Sequence, residues 1–307
     1  MSELKKRQHY VWRHYLSAWA ENDQIWAFLK EKDKVIRSNL MGVAQERYFY
    51  ELISFTDEEE SFLKKLVVGM SHPSVKELNL DFFQTFTSHY KLTKQLGDSA
   101  ISKDQRSFIE NEIRKLEVNL MEDSHGKMET SGMKLLAVID SKNYNFLENQ
   151  DDFYETMMFL CFQYFRTKKM KINIEKSFSA DINFGKFWNI ISHVMATTLA
   201  RNFSFSPDLS FMFYENNRGK TFLTCDQPIF NILSDHVDNE GNPSEIELYY
   251  PLSPRLALLI SFTPKPHNWI NSQIIDEETV DYFNQKVIKY GTEFVFANNR
   301  EDLEFYR

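Results

Sequence analysis

Apolar residues recur at helical spacing through most of the chain and at strand spacing chiefly towards its two ends. Val11, Trp12, Tyr15, Leu16 and Trp19 predict a short helix over residues 10–20. Next, DQIWAFLKEKDKVIRSNL sets the strand-like runs QIWAFLK and KVIRS on either side of the polar EKDK, a hairpin pattern. Thr56 as N-cap and Glu59 three residues on predict a capping box that opens a helix over 56–70, with Phe62, Leu63, Leu66 and Val67 on its apolar face. Glu58, Glu59 and Glu60 suit the first turn of that helix, where its dipole favours negative charge. As consecutive residues they point in different directions, which makes them a poor metal site.

Residues 74–122 predict at least two helices, broken near LGDSA, the second presenting Phe108, Ile109, Ile113, Leu116 and Leu120 on one broad face. The stretch EDSHGKMETSG, residues 122–132, is polar and small and predicts a loop. Helices are expected over 151–168 and 185–201. The last third changes character. SFMFYENNRGKTFLTCDQPIF has two apolar runs around ENNRGK, with Asn217 and Gly219 supplying turn chemistry. ELYYPLSPRLALLISFTP predicts a strand pair with a proline-bounded corner, and EETVDYFNQKVIKYGTEFVFANN a helix ending near Gly291 followed by the strand FVFA. The pattern predicts an α+β protein, one domain over 1–307, with a largely helical middle and β-hairpins from both ends packed against it.

Composition sharpens this picture in three ways. Phe (27), Tyr (14) and Trp (5) are abundant while Gly (9) and Pro (8) are scarce, which favours an aromatic-packed, helix-rich interior. RYFYE and SFMFY accordingly read as core. A formal charge of −8 gives no general attraction for nucleic acid or anionic membrane, so any basic site must be local. The start, MSELKKRQHY, has no signal-peptide apolar region and no window is long enough to span a bilayer; a cytoplasmic location is expected, with Cys161 and Cys225 as reduced thiols in preference to a disulfide.

No phosphate-binding glycine loop, dinucleotide fingerprint, nucleophile elbow or H-E-x-x-H is present. Six short stretches, in order, carry a resemblance instead: QHYVWRHYLSAW, RYFYE, FQYFRT, TCDQP, PLSPRLALL and VFANN. Together they resemble domain-of-unknown-function family 4238, whose members open on a pattern close to Q-H-Y-V-P-R/Q-F-Y-L. Trp12 stands where the family has Pro, and His14 where it usually has Phe. The resemblance implies no activity.

Proline suits the first position of a helix. Aligned so, the first helix starts at Trp12, and His9 and Arg13 sit around a helix N-terminus, a place that favours anions. Gln163 and Arg166, three apart, share a helix face, and Lys168, Lys169 and Lys171 follow. Asp226 stands at a strand end. These residues predict an anion-binding cleft, with His9 and Asp226 catalytic (His9 as general base or acid, Asp226 orienting it) and Arg13, Gln163, Arg166 and Thr167 binding substrate. The chemistry points to a phosphodiester hydrolase, a nuclease or nucleotide hydrolase, with an anionic ligand or nucleic acid as partner and no membrane. No metal is required, although Asp226 with Glu46 or Glu51 offers carboxylates for Mg²⁺.

Two other readings account for the same residues. In one, the cleft recognises an anionic ligand or protein segment without converting it. In the other, His9 caps the first helix, Arg13 and Arg166 pair with Asp226 or Glu51, and Gln163 satisfies a buried carbonyl. His14, His72, His89, His125, His193, His236 and His267 read as structural or exposed.

Overall fold

A computed structural model describes residues 3–97, 99–177, 184–239, 244–262 and 269–307; His267 lies outside them. The chain starts with strand β1 (Arg7–His9), a four-residue helix α1 (Arg13–Leu16) and a 3₁₀ turn to Trp19. Strands β2 (Gln24–Leu29), β3 (Lys34–Asn39) and β4 (Gln45–Arg47) follow. The helical middle comprises α2 (Asp57–Met70), α3 (Lys76–Gly97), α4 (Lys103–Leu136), the short α5 (Val138–Ser141), α6 (Gln150–Phe165), α7 (Lys168–Ser177) and α8 (Trp188–Ser204). Strands β5 (Ser210–Glu215), β6 (Thr224–Cys225), β7 (Phe230–Asn231), β8 (Glu247–Ser253), β9 (Leu256–Ser261) and β10 (Ile270–Ile274) come next, then α9 (Glu277–Tyr290), β11 (Phe294–Ala297) and α10 (Arg300–Tyr306). The architecture is α+β.

The N-terminal pair β2–β3 is the expected hairpin, registered from Gln24 opposite Asn39 to Leu29 opposite Lys34. It forms no sheet of its own. β11, from the far end of the chain, lies against β2, and β6 lies against β11, giving the order β3-β2-β11-β6. A second sheet runs β10-β5-β9-β8-β7, with β10 parallel to β5 and the rest antiparallel; β1 and β4 pair separately. α6, buried mainly over its second half, packs between α8 and α4. The capping box at α2 is complete: Glu59 N–H donates to Thr56 Oγ1 at 3.2 Å and Thr56 N–H to Glu59 Oε2 at 2.9 Å. Phe49, Tyr50, Phe211 and Phe213 are core residues, as their motifs predict. Cys161 and Cys225 are buried free thiols. Among the described residues no helix is long and apolar enough to cross a membrane.

Four expectations need correction. The first helix is shorter than 10–20, because the β1–β4 pairing carries on to Tyr10, whose N–H donates to the Ala44 carbonyl at 3.1 Å, and Ser17 Oγ turns back onto the His14 carbonyl at 2.6 Å. Residues 122–132 form no loop; they continue α4 through Leu136. Their small residues serve close packing, since a Cβ at Gly132 would stand 2.5 Å from the Phe159 ring of α6. Phe108 leaves the apolar face of α4 and is 60% exposed, while Ile113 is buried. Gly219, at φ +65°, does turn the chain, but the flanking strands β5 and β6 enter different sheets and make no hairpin.

Candidate functional site

α6 ends at Phe165, Arg166 caps it with φ −76° and ψ −1°, and α7 starts at Lys168. Around this elbow the chain builds two polar centres. In the first, the Arg166 guanidinium is only 3% exposed. Its Nη2 donates to the His9 carbonyl at 2.8 Å, and Nη1 lies 2.7 Å from Glu129 Oε1 but off the N–H direction. Tyr50 donates its hydroxyl to the Arg166 main-chain carbonyl at 3.1 Å. Glu122, His125 and Glu129, spaced i, i+3 and i+7, share the face of α4 that confronts this arginine.

Buried polar groups normally have partners. Here Arg166 Nε, Gln163 Nε2, His9 Nε2, His125 Nδ1, Glu122 Oε2 and Tyr250 Oη are buried with no hydrogen-bond partner among the described residues. Burial works against the charge of Arg166, yet Tyr50, Glu129 and Glu122 hold its proton affinity above the ordinary guanidinium value. Burial pushes Glu122 up to about 7 against the pull of Arg166. His9 is driven down to about 4 by burial and then by Arg13 and Arg166, so its ring is neutral at pH 7.

The second centre surrounds Asp226, 2% exposed. Its two oxygens accept the backbone N–H groups of Thr292 and Glu293, each at 2.7 Å. The Glu293 carboxylate takes the Tyr10 hydroxyl at 3.0 Å and Lys168 Nζ at 2.7 Å. Lys30 and Lys169 donate to the last carbonyls of α9 and the residue after it: Lys30 to Ile288 and Gly291, Lys169 to Tyr290. Thr167 donates to Gln227 Oε1, whose amide in turn donates to the carbonyls of Ile229 and Tyr164. Burial raises Asp226 to about 6 despite the two N–H donors.

The motifs QHY, FRT, CDQP and the approach to VFANN therefore meet in space. A family model, Protein of unknown function (DUF4238), matches residues 7–301. The chain belongs to that family. No curated protein and no solved structure matches it. Where DUF4238 members carry Pro, Trp12 holds φ −59° and ψ 120°, an angle a proline ring would also impose, and packs edge-on against Phe159 at 5.5 Å between ring centroids.

Within this DUF4238 chain the expected residues divide. His9 and Arg166 meet, through the His9 carbonyl; Gln163 is buried one turn before Arg166. Arg13 does not join them: it is exposed, its Nη1 2.6 Å from Met41 Sδ. α1, four residues long, has no side-chain cap from His9 and is too short for an anion site at its N-terminus. Asp226 is committed to backbone N–H groups instead of His9, Glu51 pairs with Arg114, and Thr167 is committed to Gln227. Glu46 pairs with Lys168 at 3.1 Å, so the carboxylates expected to gather Mg²⁺ are engaged separately. Among the described residues no group of three or more His, Cys, Asp or Glu is placed to hold a metal. Lys169 and Lys171 lie over the rings of Tyr290 and Phe49, so the basic run is engaged in local contacts.

Glu122, His125 and Glu129 went unrecognised in the sequence. Their signal was E-x-x-H-x-x-x-E at helical spacing, hidden by Ser124 and Gly126 between them. Glu122 also makes a pH prediction. Its folded value, about 7, lies above the ordinary 4.5, so its contribution is most favourable below about 4.5 and is lost as pH rises through 7. Glu122→Gln is expected to match the parent at pH 4.5 and to exceed it by about 2–3 kcal/mol at pH 8. Urea unfolding of both proteins at the two pH values measures this; an equal gap at both would disprove it.

Proposed function

We propose that this chain is a phosphodiester hydrolase in which Arg166 holds the phosphoryl group and Glu122 is the acid–base group. The observation that carries the reading is a buried guanidinium with Nε unpartnered, beside a carboxyl whose proton affinity is matched to neutral pH. In the ionised form Glu122 takes a proton from water as its oxygen attacks phosphorus. Arg166 stabilises charge gathering on the phosphoryl oxygens, and Glu122 returns the proton to the departing alkoxide, leaving a monoester and an alcohol. Neutral His9 is suited to orienting the water and is too weakly basic to replace Glu122. Glu129 and an ionised Glu122 repel added negative charge, which favours a diester monoanion over a monoester dianion.

The test incubates the purified chain with bis(p-nitrophenyl) phosphate, RNA, DNA and nucleotides, with and without Mg²⁺. Turnover is expected to rise with pH through about 7 and to vanish in Glu122→Gln, the variant expected to be the more stable. Absence of turnover that depends on Glu122 overturns the reading. A second reading, anion binding without conversion, is favoured by the engagement of Asp226 and Thr167 in the second centre. It predicts thermal stabilisation by a non-hydrolysable diester that Arg166→Lys abolishes, with no product formed.

A further inference from the structure

At the opposite end of α6 from Arg166 the surface opens into a cleft of about 430 Å³, between the start of α6, the end of α8 and the 3₁₀ turn Pro73–Val75. That volume suits a small molecule. Arg201 lines the cleft and is held by two contacts. Its Cζ stands 4.3 Å from the centroid of the Phe205 ring, and its Nε donates to Ser74 Oγ at 3.0 Å. Ser74 is fixed in turn: its N–H donates to His72 Nδ1 at 3.2 Å, and its Oγ lies 2.9 Å from the same nitrogen. The guanidinium is thereby oriented, while its two terminal nitrogens make no hydrogen bond among the described residues.

A carboxylate, Asp151 in the first turn of α6, lines the same cleft. The Asn149 side chain already accepts the N–H groups of Asp151 and Asp152, each at 3.1 Å, so the helix start itself is satisfied. Asp152 pairs with Lys134. Asp151, by contrast, pairs with no cation and Arg201 with no carboxylate among the described residues, although both border one hollow. Phe153, Tyr154 and Phe205 supply the apolar wall, and Phe205 is 60% exposed, with ring area left to cover.

We infer that this cleft binds a free α-amino acid with an aromatic side chain, its carboxylate on the Arg201 fork, its ammonium on Asp151 and its ring against Phe205. A guanidinium fork matches a carboxylate through two parallel N–H···O bonds, and an oriented fork loses less freedom on binding. A lone anion would meet the charge of Asp151 and a lone cation that of Arg201, so the two together select a zwitterion. A free amino acid carries both charges on one carbon, whereas a peptide terminus carries only one of them. The site stands apart from the chemistry proposed for Arg166. The competing account is two separately solvated side chains, which distinguish no ligand.

Calorimetry on the full chain compares L-phenylalanine with L-phenylalaninamide, 3-phenylpropionate and glycine, which lack the carboxylate, the ammonium and the ring respectively. The parent is expected to bind phenylalanine at least about tenfold more tightly than each of the others. Arg201→Met, which keeps the apolar stem over Phe205, is expected to erase the preference over the amide, and Asp151→Asn the preference over 3-phenylpropionate. Absence of phenylalanine binding by the parent, or equal binding of phenylalanine and its amide, overturns the site. Tighter binding of the dipeptide Gly-Phe than of phenylalanine also overturns it, by making the occupant a peptide C-terminus. The parent's own ranking decides the matter even where a variant fails to fold.

Discussion

Replacing Arg166 by methionine is expected to destabilise the protein by about 3–5 kcal/mol, the usual consequence of removing one member of a buried ion pair. Methionine keeps much of the apolar stem, so the loss is one of charge and hydrogen bonding more than of volume. The His9 carbonyl loses its donor at 2.8 Å, and Glu129, in contact at 2.7 Å, loses its counter-ion. Glu122 loses the charge that restrains its rise towards 7. Two carboxyls are then left facing one another on α4, and ionising both becomes harder. The loss is therefore larger at pH 8 than at pH 5.5, where Glu122 is protonated. Urea unfolding at both values tests the statement; a loss below about 1 kcal/mol at pH 8 would show that the guanidinium does not hold this centre together.

Asp226→Ala is expected to cost about 1–3 kcal/mol at pH 5, because two backbone N–H groups lose a buried acceptor. Its pH dependence runs opposite to that of a surface carboxylate. The folded value of about 6 lies above the ordinary 3.8, so the favourable contribution of Asp226 is full below 3.8 and declines as pH rises through 6. The penalty for alanine accordingly shrinks at pH 8. Hydrogen exchange at the Thr292 and Glu293 amides should accelerate more than exchange in α6. Acceleration spread evenly over the chain would mean that Asp226 supports the whole fold and not this turn.

What could be seen in the sequence was what local chemistry decides. The Thr56–Glu59 box, the break before Ser102, the β2–β3 and β8–β9 pairings and the stop at Gly291 each depend on residues a few positions apart. The motifs also identified His9 and Arg166, which do meet. The rest depended on partners that side-chain pattern does not reveal. Asp226 binds main-chain N–H groups, which every residue except proline carries, so nothing in TCDQP distinguished a structural carboxylate from a catalytic one. Glycines and serines between Glu122 and Gly132 lower helix propensity, yet the tertiary contact of Gly132 with Phe159 outweighs it and makes one helix of the whole stretch. That continuity is what aligns Glu122, His125 and Glu129.

The position of β11 has a consequence for how the protein is made. It lies between β2 and β6, and Glu293 just before it holds Tyr10, 283 residues away. During synthesis the β2–β3 hairpin emerges with one edge bare and stays so until Phe294–Ala297 have left the ribosome. A nascent strand of QIWAFL exposed for that interval can pair wrongly with a neighbouring chain. Yield in cells should therefore respond more to translation speed and chaperone supply than the stability of the finished protein would indicate.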